Sequence, residues 1–283
     1  MSWFPDRSVL ITATPALRRL AGRTGAYQPR WFDGWDDLAE AMETAPPAVT
    51  VIADAYLGCE PDEGPSPRLR ELLRRRPSIP TVAALPIAPE RMPDLVTLLD
   101  WGVSQVLDLE LDVRPAAIQA RLRDARARPL KRRIEADLST FASENARNLL
   151  RAASEVAVEG GGAPELAALF GADPRTVAAW CRREGLPAPR RLLAWTRVLL
   201  AGMLLEEEGR SVVNSARGAG YATDHALRRA MRELAGGDPA TVPRAALFTR
   251  AAERFNAELR DLRVEAGERR RPLPGSRAGV LYG

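Results

Sequence analysis

Between Ser8 and about residue 127, short apolar runs alternate with stretches of helical period, the pattern of a parallel sheet with helices on its faces. Ser8–Ala13 (SVLITA) is a buried-type strand, and residues 15–23 read as a helix. Pro47–Asp54 (PAVTVIAD) is a second strand, rich in β-branched residues. An acidic loop containing Pro and Gly, from Gly58 to Pro67, leads into a helix over about 67–76. Pro80–Leu85, a helix near 90–101, Gln105–Leu109 and a helix over about 113–127 complete the set, with a weaker strand at Tyr27–Phe32. Five strands and five helices in this length predict a doubly wound sheet.

Residues 129–160 read as a helical bridge, with Leu130, Ile134, Leu138, Phe141 and Ala142 recurring on one face. Such a face either packs on a neighbouring domain or pairs with a second copy of itself. Gly160-Gly-Gly-Ala-Pro then breaks the chain before a compact run of helices from Glu165 to about Val242. A charged helix follows over about 244–268, and the residues from Arg269 read as a disordered tail.

Composition matters here for its distribution. Residues 1–128 carry a net charge of −2, and residues 129–283 carry +6, nearly all of it from arginine. Arginine is the side chain suited to forked contacts with phosphate and guanine. A basic half joined to a slightly acidic half points to a nucleic-acid module with a separate partner.

The basic half contains one pattern twice. In Leu166–Gly185 a short apolar helix ends at Gly171, Asp173 caps the next helix, and Pro174 takes its first position. In that second helix Val177, Trp180, Cys181 and Glu184 share one side, while Arg175, Thr176, Ala179, Arg182 and Arg183 fall on the other. Further on, Ser211 caps a short helix that turns at Gly220, and Thr223 opens another. There Leu227, Ala230, Met231 and Leu234 form the buried stripe, leaving Asp224, His225, Arg228, Arg229 and Arg232 facing outward. One long helix, about 188–207, separates the two units. Two helix-turn-helices joined in this way suit successive major-groove segments on one face of DNA.

These residues resemble the AraC/XylS-type regulators. The resemblance rests on Leu166-Ala, Gly185, the run Arg197–Leu205, Ala216–Tyr221, Leu227–Arg232 and Gly236-Gly-Asp-Pro, about a third of the chain without gaps. It implies sequence-specific binding of double-stranded DNA by both second helices. It also implies that Arg197, Gly220, Tyr221, Leu227, Met231, Gly236 and Pro239 mainly define the fold. The chain departs from the family pattern at Ser215, where a core isoleucine is usual, and at Asp238 and Val242. Ala178 and Ala179 leave the first reading helix poor in base-contacting side chains, and Asp224 puts a carboxylate near phosphates. The alternative is a unit that keeps the fold without tight binding.

The order of elements in the first half is flavodoxin-like and resembles the receiver domain of response regulators. A working receiver implies an acidic pair after its first strand, a phosphorylatable aspartate, a later Thr or Ser, and a lysine. Here those positions read Thr12-Ala13-Thr14, Ala84-Leu85-Pro86 and Leu107-Asp108-Leu109, so the ligands for a hard cation are missing. Asp54 alone lies near its expected place and reads as a strand-end residue rather than a phosphoacceptor. A transferred phosphoryl group would find little to stabilise its charge.

Other chemistry is poorly provided for. His225 is the single histidine, Cys59 and Cys181 make no metal spacing, and Gly160-Gly-Gly lacks the Lys-Ser/Thr of a phosphate loop. The apolar runs are short of a membrane span, and Met1–Arg7 has no secretory pattern.

The sequence therefore predicts an α/β plus all-α chain in four parts: a pseudo-receiver domain (1–128), a helical linker (129–160), an AraC-type double helix-turn-helix domain (161–243), and a C-terminal helix and tail (244–283). The expected protein is a cytoplasmic, non-enzymatic, DNA-binding homodimer without cofactor. Its receiver-like part dimerises or senses an unidentified effector or partner without phosphorylation. The expected DNA contacts are Arg175, Thr176, Arg182 and Arg183, then Thr223, His225, Arg228, Arg229 and Arg232. Two alternatives remain: a partner-binding module that no longer reads DNA, and a response regulator phosphorylated on Asp54.

Overall fold

The computed structural model describes residues 8–270 except 21, 23, 26, 46–48, 113, 138–142 and 208. Leu138, Phe141 and Ala142 of the expected bridge, and the tail from residue 271, lie outside the described residues.

Five parallel strands form one sheet: β1 (Ser8–Thr12), β2 (Gln28–Phe32), β3 (Thr50–Asp54), β4 (Thr81–Leu85) and β5 (Gln105–Asp108). Their order, β2-β1-β3-β4-β5, is the flavodoxin-like order expected from the alternation. β3 and β4 are buried almost throughout, as central parallel strands covered on both faces must be. β2 is an edge strand whose first three residues are exposed, and it tolerates Pro29 there. Helices α1 (Pro15–Arg18), α2 (Trp35–Thr44), α3 (Pro67–Arg75) and α4 (Met92–Asp100) connect the strands. The helix expected over 15–23 thus stops at Arg18, whose neighbour Arg19 ends it.

The next helix departs most from the expected layout. α5 (Pro115–Asp137) runs for 23 residues through residue 128, with Pro129 inside it. Its first half buries Ile118, Leu122 and Ala125 against the sheet. Its second half buries Ala127, Leu130 and Ile134 in the core of the helical half. The missing N–H of Pro129 costs one helical bond, and packing on both sides holds the helix through it.

The helical half consists of α6 (Glu144–Val158), α7 (Ala163–Leu169), α8 (Pro174–Arg183), α9 (Pro189–Glu206), α10 (Val212–Gly218), α11 (Asp224–Ala230) and α12 (Leu247–Arg270). Residues 144–158 of the expected bridge form part of the helical core, since Leu149, Leu150, Ala153, Val156 and Ala157 of α6 are buried. α9 is the central pillar, with thirteen of its eighteen residues buried. α12, the charged helix expected over about 244–268, packs along α9: Phe248, Ala251, Ala252, Phe255 and Leu259 enter the same core. The Phe255 ring stacks on Trp195 at 5.1 Å.

The two halves are pinned together by buried polar contacts. Arg126 donates to Glu159 (2.9 Å) and to the Val158 carbonyl (3.0 Å), and Tyr27 Oη donates to Glu159 (3.4 Å). Arg210 pairs with Glu207 (2.8 Å) and donates to the Ala45 carbonyl (3.2 Å), while Glu207 accepts from the Ser78 N–H (3.0 Å).

Candidate nucleic-acid interface

Each helix-turn-helix is set by local chemistry that the sequence displays. In the first, α7 ends and Gly171 turns the chain at φ +59°, a left-handed conformation that costs glycine little. The Asp173 carboxylate accepts from the Arg175 (2.8 Å) and Thr176 (3.0 Å) N–H groups to start α8. In the second, Ser211 caps α10, Gly220 turns at φ +78°, and Thr223 Oγ1 accepts from the Ala226 N–H (3.1 Å) to start α11. α11 continues through Met231–Ala235 as a π-helical turn.

The inner faces are seated firmly. Val177 and Cys181 of α8 are buried, Trp180 lies edge-on to Phe170 at 5.8 Å, and Glu184 accepts from the Ser143 hydroxyl (2.8 Å). That hydroxyl, followed by Arg183, holds the Glu184 carboxyl below the usual range. Burial pushes the Cys181 thiol up to about 11, so it stays a neutral core group. Leu227, Met231 and Leu234 seat the second unit. Arg197 of α9 ties the turn after α6 in place by donating to the Gly161 (2.7 Å) and Gly160 (3.3 Å) carbonyls. Its neighbour Tyr221 has a hydroxyl that burial pushes up to about 12. Ser215, where an isoleucine is usual in the family it resembles, is fully buried and its hydroxyl has no hydrogen-bond partner among the described residues.

The outer faces divide the expected contact residues into two groups. Arg175 and Arg182 of α8, and His225 and Arg229 of α11, are exposed and make no ion pair or side-chain hydrogen bond with other described residues. Arg183 is also exposed, although its Nε donates to Glu184 (3.1 Å). The remaining four are engaged within the protein. Thr176 donates its hydroxyl to Asp173 (2.6 Å), and Thr223 acts as a cap. Arg228 pairs with Asp238 (2.8 Å) and Asp224 (3.6 Å), and Arg232 pairs with Asp238 (3.2 Å). Asp238, one of the departures in sequence, therefore anchors both arginines. Its carboxyl is held low by the Ala240 N–H, then by Arg228. Sequence reasoning missed this because Asp238 reaches α11 only through the turn at Gly236.

At the end of the sheet the positions compared with those of a receiver hold a different network. The Asp54 N–H donates to Thr12 Oγ1 (2.8 Å), and the Asp54 carboxylate accepts from the Tyr56 N–H (3.0 Å). Asp108, where a lysine was looked for, is buried and accepts from the Glu110 N–H (2.8 Å). Among the described residues, no grouping of His, Cys, Asp and Glu is arranged to hold a metal ion. No described helix is long and apolar enough to cross a membrane.

No family model matches the chain, and no curated protein does. Among solved structures, full-length FixJ from B. japonicum aligns over 83% of this chain and 98% of its own, at 13% identity and a TM-score of 0.33. A likeness that distant adds nothing to the fold that the strand order and the helix pairs establish directly.

Proposed function

We propose that this chain is a transcription regulator that binds double-stranded DNA through α8 and α11, its helical half being of the AraC/XylS type. The observation that carries the reading is the same division on both helices. A buried inner face supports an outer face on which the side chains of Arg175 and Arg182, then His225 and Arg229, make no ion pair or hydrogen bond with other described residues. Guanidinium groups held out in this way are ready for phosphate oxygens or guanine edges. The function is binding, with no reaction assigned.

The sheet half acts in this reading without phosphorylation. Thr12 and Asp108 occupy positions where charge-stabilising groups would be required, and Asp54 is committed to the turn at Tyr56. A second copy of the chain is the partner that fits its surface. On α4, Met92, Val96 and Leu99 are 52%, 57% and 42% exposed and recur at helical spacing, an apolar stripe suited to a two-fold contact. Val96→Asp is expected to shift the protein from dimer to monomer in sedimentation. A wild-type chain that sediments as a monomer at tens of micromolar would remove the dimer from the proposal.

The DNA reading is tested by selecting bound fragments from a random pool at near-physiological salt, then measuring Arg229→Ala on the enriched site. The substitution is expected to weaken binding by roughly tenfold or more, as for loss of one base contact at ~1–3 kcal/mol. If Arg229 meets a phosphate instead, the slope of log affinity against log salt falls by ~0.9. The melting temperature should not move, because the exposed Arg229 side chain makes no ion pair or hydrogen bond with other described residues. Unchanged affinity on an enriched site, or no enriched site at all, favours the partner-binding alternative.

A further inference from the structure

A cavity of about 850 Å³ lies between the two halves of the chain, lined by the α3–β4 turn, the middle of α5 and the end of α9. That volume is in the range of small-molecule sites. Its charges do not cancel locally. Three carboxylates line it, and each is already engaged: Glu43 by Arg76, Glu206 by Arg133 (3.2 Å) and the Phe248 N–H (3.1 Å), and Glu207 by Arg210 (2.8 Å) and the Ser78 N–H (3.0 Å). Arg128 and Arg132, one helical turn apart on α5, also line it and make no ion pair or side-chain hydrogen bond with any described residue.

Two like charges four residues apart, one of them half-buried, are unfavourable without an anion between them. Burial, and then the charge of Arg132, hold the Arg128 guanidinium below its ordinary pKa, against the opposing pull of the Glu135 carboxylate. Ser78 lines the same cavity, and its buried hydroxyl has no hydrogen-bond partner among the described residues. The lining groups without an ion pair or side-chain hydrogen bond among the described residues are thus two forked cations and one hydroxyl, Glu135 acting on Arg128 from outside the lining. Pro129 and Met203 supply apolar wall beside them.

We infer that this cavity binds a phosphate ester of nucleotide size, its phosphate held by Arg128 and Arg132 and its organic part set against Pro129 and Met203. Guanidinium pairs suit phosphate because each presents two parallel N–H donors to its oxygens. The apolar wall favours an ester with a flat organic group over a bare inorganic anion. The site draws on both halves of the chain and none of the DNA-facing residues, so it stands whether or not the helices read DNA.

The test is isothermal titration of the full-length protein, without DNA, with inorganic phosphate, pyrophosphate, adenosine 5′-monophosphate and guanosine 5′-diphosphate. One nucleotide is expected to bind at one per chain, more tightly than either inorganic anion. Arg128→Gln/Arg132→Gln should weaken it at least tenfold while the thermal melt stays as in the parent, and Ser78→Ala should weaken it less. If that double variant does not fold, Arg132→Gln alone, on the exposed turn of α5, carries the same comparison. Absence of binding by all four probes overturns the inference, as does undiminished binding by the arginine variants. Pyrophosphate bound as tightly as the nucleotide overturns the ester assignment.

Discussion

Phe255→Ala is expected to lower the stability of the helical half by about 3–5 kcal/mol, the range for emptying a fully buried phenylalanine site. Phe255 is 0% exposed and stacks on Trp195, itself 2% exposed, so truncation removes contact from both rings. Little can collapse into the gap, because the next turn of α12 is held by polar contacts. There Glu258 accepts from Trp195 Nε1 (2.9 Å) and takes both ends of the Arg191 fork (2.6 and 2.7 Å). The measurement is urea unfolding followed by far-ultraviolet dichroism, with Val264→Ala as the comparison. Val264 is on the same helix but 62% exposed, and its substitution should stay within about 0.5 kcal/mol of the parent. A loss below ~1 kcal/mol for Phe255→Ala would make α12 peripheral to the core.

Glu159→Leu should cost about 3 kcal/mol, because it leaves the Arg126 guanidinium buried with only the Val158 carbonyl opposite it. The side chain of Arg126 is 4% exposed and that of Glu159 is 17%, which places the figure at the low end of the range for a broken buried pair. Replacing both, Arg126→Met with Glu159→Leu, should recover most of the loss, since two apolar side chains fill similar volume without an unpaired charge. The interaction energy from the double-mutant cycle is the readout. If the two single costs simply add, the pair is not coupled and the halves are joined by packing alone.

The strands were legible because parallel strands buried on both faces are continuous apolar runs, as Thr50–Asp54 and Thr81–Leu85 are. The helix starts were legible because Asp173-Pro174, Ser211 and Thr223 act locally: a cap and the N–H it accepts from are three residues apart or fewer. Contacts between distant segments were not. Pro129 looks like a stop, and only packing on two separate cores shows why α5 continues past it. Arg228 and Arg232 look outward on a helical wheel, yet Asp238 folds back to meet them. In α12 the apolar positions from Leu247 to Leu259 do recur at helical spacing, but the charges between them hide which surface they meet. Arg128 and Arg132 attracted no notice at all, since nothing in their neighbourhood along the chain shows what the fold places around them.

Because α5 belongs to both cores, the halves of this chain are not interchangeable cassettes. Recombination near residue 128 would pass through the middle of a helix, and each product would inherit half of it without the surface that keeps that half folded. At ~1.5 Å per residue the helix is also a rod of roughly 35 Å, seated at one end on the sheet and at the other among the helices that carry α8 and α11. Descendants of such a chain can change strand-loop chemistry or the outer side chains of α8 and α11 one residue at a time, but grafting a new sheet domain onto this helical half requires bringing the rod with it.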